Sequence, residues 1–337
     1  MPFLKEILKY KSLSIIGTEK NTGKTECLNY IIQSLKNSNK TIAITSIGID
    51  GESVDAVTET PKPEIEIYKN NIFLSSEKHF LQKQITAEIL DVSEKQTSLG
   101  RLITARAMDS GKLIFSGPPD TKWLKEEILN SQKYGVDLFI VDGALSRKST
   151  ASPSVTESMI LTTGAALSAN IPTLVKKTKF LCDLIELPVF ETNLTNELLQ
   201  IKNGLWAIDS DNNIIHDLDI KSTLLLDKAK DKLYANGCVI FASGIITNNI
   251  LEFMRIQKNI KETILIVKDF TKIFVSQEKY NSFTKAGGKI MVLLKPNLIS
   301  ICVNPWSPRG FVLDSQKLRD ELFKAINLPI YDIKALD

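Results

Sequence analysis

The sequence predicts an α/β protein: a domain built on a mostly parallel sheet, followed by a second, smaller α/β domain. Three observations carry this. Short apolar runs of strand length alternate along the chain with segments whose apolar residues recur at helical spacing, the pattern of parallel strands joined by crossover helices. Several runs, such as 138–141 (Leu-Phe-Ile-Val), are apolar throughout rather than alternating, as expected of strands covered on both faces. The first run, residues 13–16, stops at Gly17, and Gly23-Lys24-Thr25 then opens an amphipathic segment. That is a strand, an anion-binding loop and a helix start.

The loop is the most informative stretch. Gly17 permits a sharp turn off the strand, and Gly23 lets backbone N–H groups approach an anion closely. The helix that follows adds the partial positive charge of its N-terminus. Gly17, Thr18, Glu19, Lys20, Asn21, Thr22, Gly23, Lys24, Thr25 and Glu26 form the expected nucleotide-binding set. Within it Lys24 would meet the β- and γ-phosphates, and the Thr25 hydroxyl would take a position on Mg²⁺. These features define a P-loop NTPase domain. Five residues separate Gly17 from Gly23, one more than the usual spacing.

Composition narrows the function classes. At 43% hydrophobic and 24% charged, the 337 residues have ample material for a core, and the length suggests two domains. A net charge of +3 is close to balance, so no basic surface for nucleic acid is indicated. Cys27, Cys182, Cys238 and Cys302 are far apart and read as buried small apolar residues in a reducing compartment. With only His79 and His216, a histidine-rich metal site is excluded. His79 is expected on a helix surface, and His216 as a structural or exposed residue. No signal peptide is read at the N-terminus, and the charge-free stretch 158–175 is too polar and broken to span a membrane. A cytoplasmic protein is expected.

In chain order, a helix is expected over 24–35 and a strand over 41–47. The latter delivers Gly48-Ile49-Asp50-Gly51-Glu52 to the carboxyl edge of the sheet, where ligands bind in open α/β sheets. Residues 65–68 and 71–75 read as a β-hairpin, 77–90 as a helix, and 99–107 and 112–115 as strands. A helix over 121–133 precedes the apolar strand 138–141, which runs into Asp142-Gly143-Ala144. An apolar strand ending in a carboxylate downstream of such a loop is what a Walker B element requires. Lys24, Asp50 and Asp142 are therefore the expected catalytic residues, and Thr25, Asp50 and Asp142 the expected Mg²⁺ set. Arg147 and Lys148 lie in a polar loop off the same strand end.

The first domain is expected over 1–190 and the second over 191–337. In the second, a hairpin around 206–215 leads into alternating helices and strands up to 330–333, with no phosphate loop of its own. The 304–310 loop reads as ordered, with Arg309 its most interesting residue. No guanine-reading Asn-Lys-x-Asp motif occurs. ATP is the expected nucleotide, with GTP left open.

With these residues in hand, the first domain resembles the dethiobiotin synthetase-like branch of P-loop proteins, through Gly17-x5-Gly23-Lys24-Thr25 and the strand into Asp142-Gly143-Ala144. It departs from the chromosome-partitioning ATPases, because Glu19 stands where their signature lysine falls. A resemblance over nearly the whole chain rests on SLSIIGTEKNTGKT, TSIGIDGESVDAVTETPKP, IVDGALSRKSTASP and ILTTGAALS. Together these are similar to the reactivase subunit of lysine 5,6-aminomutase. That resemblance implies an ATP- and Mg²⁺-dependent subunit that restores an adenosylcobalamin-dependent aminomutase, working with a MutS-like ATPase subunit. A homodimer is among the states it allows. The competing readings are a dethiobiotin synthetase-like ligase or kinase for a small molecule, and a nucleotide-binding scaffold without hydrolysis.

Overall fold

The computed structural model describes residues 3–47, 65–144, 152–209, 214–220 and 230–336. A short helix α1 (Leu4–Ile7) leads into β1 (Ser12–Gly17), the glycine loop, α2 (Lys24–Leu35) and β2 (Ile42–Ser46). β3 (Ile65–Ile67), β4 (Ile72–Ser76), α3 (Glu77–Leu81), β5 (Ala87–Thr97), β6 (Gly100–Ala107) and β7 (Gly111–Leu113) follow. Then come α4 (Thr121–Asn130), β8 (Leu138–Ala144), β9 (Ser158–Gly164) and α5 (Ile171–Ile185). The next stretch holds α6 (Thr195–Gln200), β10 (Leu205–Ile208), β11 (Ile215–Ile220), α7 (Lys230–Leu233), β12 (Val239–Ala242) and β13 (Ile246–Thr247). It continues with α8 (Asn248–Arg255), β14 (Ile264–Val267), β15 (Ile273–Phe274), α9 (Gln277–Lys285) and β16 (Lys289–Val292). The chain closes with β17 (Asn297–Asn304), α10 (Ser315–Ile326) and β18 (Ile330–Asp332).

One compact unit comprises residues 1–179 and 296–337. Its sheet has nine strands in the order β18-β17-β9-β1-β8-β2-β4-β6-β5. From β18 through β4 the neighbours are parallel, and β6 and β5 add an antiparallel edge. β1 is buried at every position, as a central strand covered on both faces must be. The period of two is visible in β2, where Ile42 and Ile44 enter the cluster around Leu28, Ile31 and Ile32 of α2. Ala43 between them packs on the other face with Trp123, Leu124 and Ile128 of α4. Helix starts are fixed locally: the Asp120 carboxylate accepts from Trp123 N, and Asp314 from Lys317 N.

The other unit, residues 180–295, has a five-stranded sheet in the order β11-β10-β12-β14-β16. β12, β14 and β16 are parallel, and β10 pairs antiparallel with β11 and β12. Phe190, Leu198, Ile208, Phe241 and Ile266 form its core. Among the described residues of the whole chain, no helix is long and apolar enough to cross a membrane.

The structure departs from the sequence expectations in five places. The compact units divide at 179/180 and 295/296, not at 190/191. Strands 297–304 and 330–332, expected in the second domain, complete the first sheet instead, because periodicity identifies a strand but not its neighbour. The 65–75 hairpin does not form: β3 pairs antiparallel with β7, and β4 pairs in parallel with β2. The 77–90 helix ends at Leu81, and β5 begins at Ala87. His79, expected on a surface, is buried, with Nδ1 2.9 Å from Ser116 Oγ, which itself accepts from Ser76 N at 3.1 Å.

This topology makes a specific prediction. The fragment 1–190 lacks β17 and β18, leaving the edge of β9 and the apolar face of α5 unpartnered. It is expected to be insoluble or to lack a cooperative unfolding transition, as read by circular dichroism with urea. The full chain should unfold cooperatively.

Candidate functional site

The parallel register brings several strand ends to one edge of the nine-stranded sheet. Gly17 lies beside Ala144 on one side and Thr162 on the other, Asp142 beside Ser46, and Gly164 beside Asn304. This carboxyl edge is where open α/β sheets bind ligands.

The 17–24 loop is held in a strained, compact form. Asn21 (φ 59°) and Gly23 (φ 92°) both occupy the left-handed region. A Cβ on Gly17 would lie 2.6 Å from Thr22 Oγ1 and 3.0 Å from the Glu19 carbonyl oxygen, so only glycine fits. The Thr22 hydroxyl donates to that carbonyl at 2.9 Å and sits 3.1 Å from Thr162 Oγ1. Thr18 N donates to Thr162 O at 2.8 Å, and Thr18 Oγ1 to Thr163 Oγ1 at 3.2 Å. Thr163 Oγ1 is in turn 2.9 Å from Thr178 Oγ1 on α5. Thr18 and Thr22, expected to contact nucleotide, thus commit their buried hydroxyls to fastening the loop onto β9.

The other fastening comes from β17. Asn304 Nδ2 donates to Asn21 O at 3.0 Å, and Asn304 Oδ1 accepts from Trp306 N at 3.1 Å. The side chain of Asn304 therefore holds the left-handed Asn21 and lies 3.1 Å from where a Gly23 Cβ would stand. Sequence reading placed its interest in Arg309, which is exposed. The usable signal was an amide residue at the end of an apolar strand, directly before Pro305.

α2 starts at Lys24 with no side chain capping it at Gly23. Its first-turn N–H groups face the loop, the arrangement that favours an anion. Lys24 Nζ lies 3.9 Å from Asp142 Oδ1, with side chains 20% and 18% exposed. Thr25 stands next to Lys24 in the same turn. Asp142 sits toward the carboxyl end of β8, the end that carries the loop on β1. Among the described residues no group of three or more His, Cys, Asp or Glu side chains could hold a metal ion. Thr25 and Asp142 offer one hydroxyl and one carboxylate, hard oxygen donors of the type Mg²⁺ takes together with water and phosphate oxygens. Asp50, Arg147 and Lys148 lie outside the described residues.

Next to the loop is an open cleft. It runs from Thr22, Gly23 and Glu26 across Cys302 and Asn304 to Trp306 and Lys334. The Trp306 ring is 61% exposed. Lys334 Nζ meets Glu26 Oε1 at 3.6 Å across the exposed rim. Beneath it, the Cys302 thiol, burial and the Asp142 carboxylate hold the Cys27 thiol well above the usual thiol range. Cys27, Cys182 and Cys302 are buried, while Cys238 is half-exposed.

No protein-family model matches the chain, and no curated protein matches it.

Two substitutions test the loop geometry. Asn304→Ala removes the donor to Asn21 and the acceptor for Trp306 N, and should destabilise the protein by about 1–3 kcal/mol at about 1 kcal/mol per bond. Amide exchange over 18–23 should rise in parallel. Gly17→Ala should raise exchange in the same segment and cost about 1–3 kcal/mol from overpacking against Thr22. Unchanged exchange in both variants would mean that the loop does not depend on these contacts.

Proposed function

We propose that the 17–25 loop binds the phosphates of ATP together with Mg²⁺. We further propose that the chain couples this binding to the reactivation of an adenosylcobalamin-dependent lysine 5,6-aminomutase, in concert with a MutS-like ATPase subunit. The observation that carries the nucleotide part is the Lys24–Asp142 pair. An ammonium at an uncapped helix start and a carboxylate on the neighbouring parallel strand meet at the ligand edge of the sheet, 3.9 Å apart. The partner part rests on the four sequence motifs that resemble those of the reactivase subunit. A second α/β unit without a phosphate loop supports a macromolecular target over a small one.

Each residue then has a defined task. The first-turn N–H groups of α2 and Lys24 bind phosphate oxygens, with Asp142 orienting the ammonium until phosphate takes its place. Mg²⁺ would neutralise charge on the β- and γ-phosphate oxygens. Thr25 and Asp142 are the hard oxygen donors for that ion or its waters, and Asp50 is the third candidate. The cleft beside Gly23 receives the nucleoside end, and Trp306 offers an exposed ring for a base to stack on.

Lys24→Ala should weaken ATP binding about tenfold or more, since a hydrogen bond to a charged group contributes about 1.5–3 kcal/mol. The unfolding midpoint should stay near that of the parent chain. Normal ATP affinity in this variant would remove the nucleotide reading. The partner part is tested by co-purification of aminomutase or the second ATPase subunit with ATP, with ADP and without nucleotide. A nucleotide can drive reactivation only through different affinities in these states. Equal recovery in all three, or none in any, would instead favour a small-molecule ligase.

A further inference from the structure

We propose that Cys27 and Cys302 form a reversible thiol–disulfide switch that sets the position of the 17–25 loop. Their sulfur atoms lie 3.6 Å apart although the residues are 275 positions apart in the chain. Cys27 is on the buried face of the first turns of α2, and Cys302 is on β17, two residues before Asn304. A disulfide has a sulfur–sulfur distance of about 2.0 Å, so joining them requires only a small approach.

The geometry decides which side moves. Cys302 is clamped in the sheet, in register with Thr162 of β9 and Tyr331 of β18. Cys27 is on a helix whose start is an uncapped loop, and its N–H bonds Gly23 O at 2.9 Å. Drawing Cys27 toward β17 therefore pulls on Gly23. Asn304 stands on that side, 3.1 Å from where a Gly23 Cβ would be, which leaves the glycine only limited room to follow. The displacement has to be absorbed by the loop and by the first turn that carries Lys24 and Thr25.

Access is one-sided. Cys302 lies at the floor of the cleft and is 2% exposed, whereas Cys27 is fully buried behind it. A peroxide entering the cleft meets Cys302 first. The Cys302 thiol gives its proton to water, and its thiolate attacks one peroxide oxygen. The O–O bond breaks, leaving a sulfenic acid on Cys302 and hydroxide. The Cys27 sulfur then attacks the Cys302 sulfur, the S–O bond breaks, and the departing hydroxide leaves as water with the Cys27 proton. The two thiols are oxidised and one hydrogen peroxide becomes two waters. A dithiol reductant reverses the bond by exchange.

The consequence for ATP rests on the nucleotide reading above, but the cross-link does not. The experiment treats the reduced full chain with hydrogen peroxide, alkylates the remaining thiols and maps peptides by mass. A 27–302 linked peptide is expected, with Cys182 and Cys238 still alkylated. Amide exchange over 18–27 should change on linkage and return with dithiothreitol. Affinity for ATP should fall about tenfold, within the usual range of coupling between two sites. Cys27→Ser should show none of these peroxide effects relative to its own reduced form, and Cys27→Ala serves where a buried hydroxyl impairs folding. Oxidation of the half-exposed Cys238 with no 27–302 link would overturn the proposal, as would a link that leaves exchange over 18–27 unchanged. If the reduced protein binds no ATP while the link still alters exchange, the nucleotide reading fails and the switch stands.

Discussion

The constraint on which the site depends is the position of β1 in the middle of a sheet that is covered on both faces. Its carboxyl end has to turn from a buried strand into α2 within a few residues and without open space on either side. Gly17 satisfies this by having no Cβ to meet Thr22. The turn still leaves backbone groups and two left-handed residues to be held. β9 supplies a ladder of threonine hydroxyls on one side, and β17 supplies Asn304 beyond it. Hydroxyls suit this place because each can donate and accept, so buried polar groups are satisfied without bringing in a charge. The unsatisfied N–H groups at the start of α2 are what remains for a ligand.

Much of this was legible in the sequence, and the remainder was hidden for identifiable reasons. Strands such as 12–17, 138–144 and 158–164 announce themselves because both faces are buried and their apolar runs are unmistakable. The glycine and lysine spacing gave the loop, and the acidic residue ending an apolar strand gave Asp142. Pairing partners were another matter. β17 reads from sequence as the next strand of the unit it follows, yet it crosses back to lie beside β9. β5 is an edge strand with mostly exposed and mixed side chains, so its period is blurred, as is common where an edge is kept polar. His79 reads from sequence as a surface residue of a longer helix, but the helix stops at Leu81 and its single turn leaves His79 buried. Asn304 carries no motif: its role exists only because β17 ends beside the loop.

The Lys24–Asp142 pair illustrates how such a site can be prepared without being saturated. At 3.9 Å it is looser than a direct charge-assisted hydrogen bond, which runs at about 2.7–2.9 Å. Both side chains are mostly withdrawn from water, so the pair is neither fully buried nor freely exposed. A tight, fully buried pair would resist exchange of the carboxylate for a phosphate, and an exposed one would be screened. The partial separation fits a group held ready for a stronger anion.

The order of the chain adds a further consequence. The 180–295 unit begins within α5 (Ile171–Ile185) and ends just before β17 (Asn297–Asn304), and both elements carry residues that fasten the loop. Thr178 on α5 holds Thr163, which holds Thr18, while Asn304 on β17 holds Asn21. The 180–295 unit thus interrupts the chain between Thr178 and Asn304, the residues that supply these two fastenings. The same strand carries Cys302 beside Cys27. Oxidation of the thiol pair would thus act on the loop at the end of β17, beside Asn304, whose side chain holds Asn21.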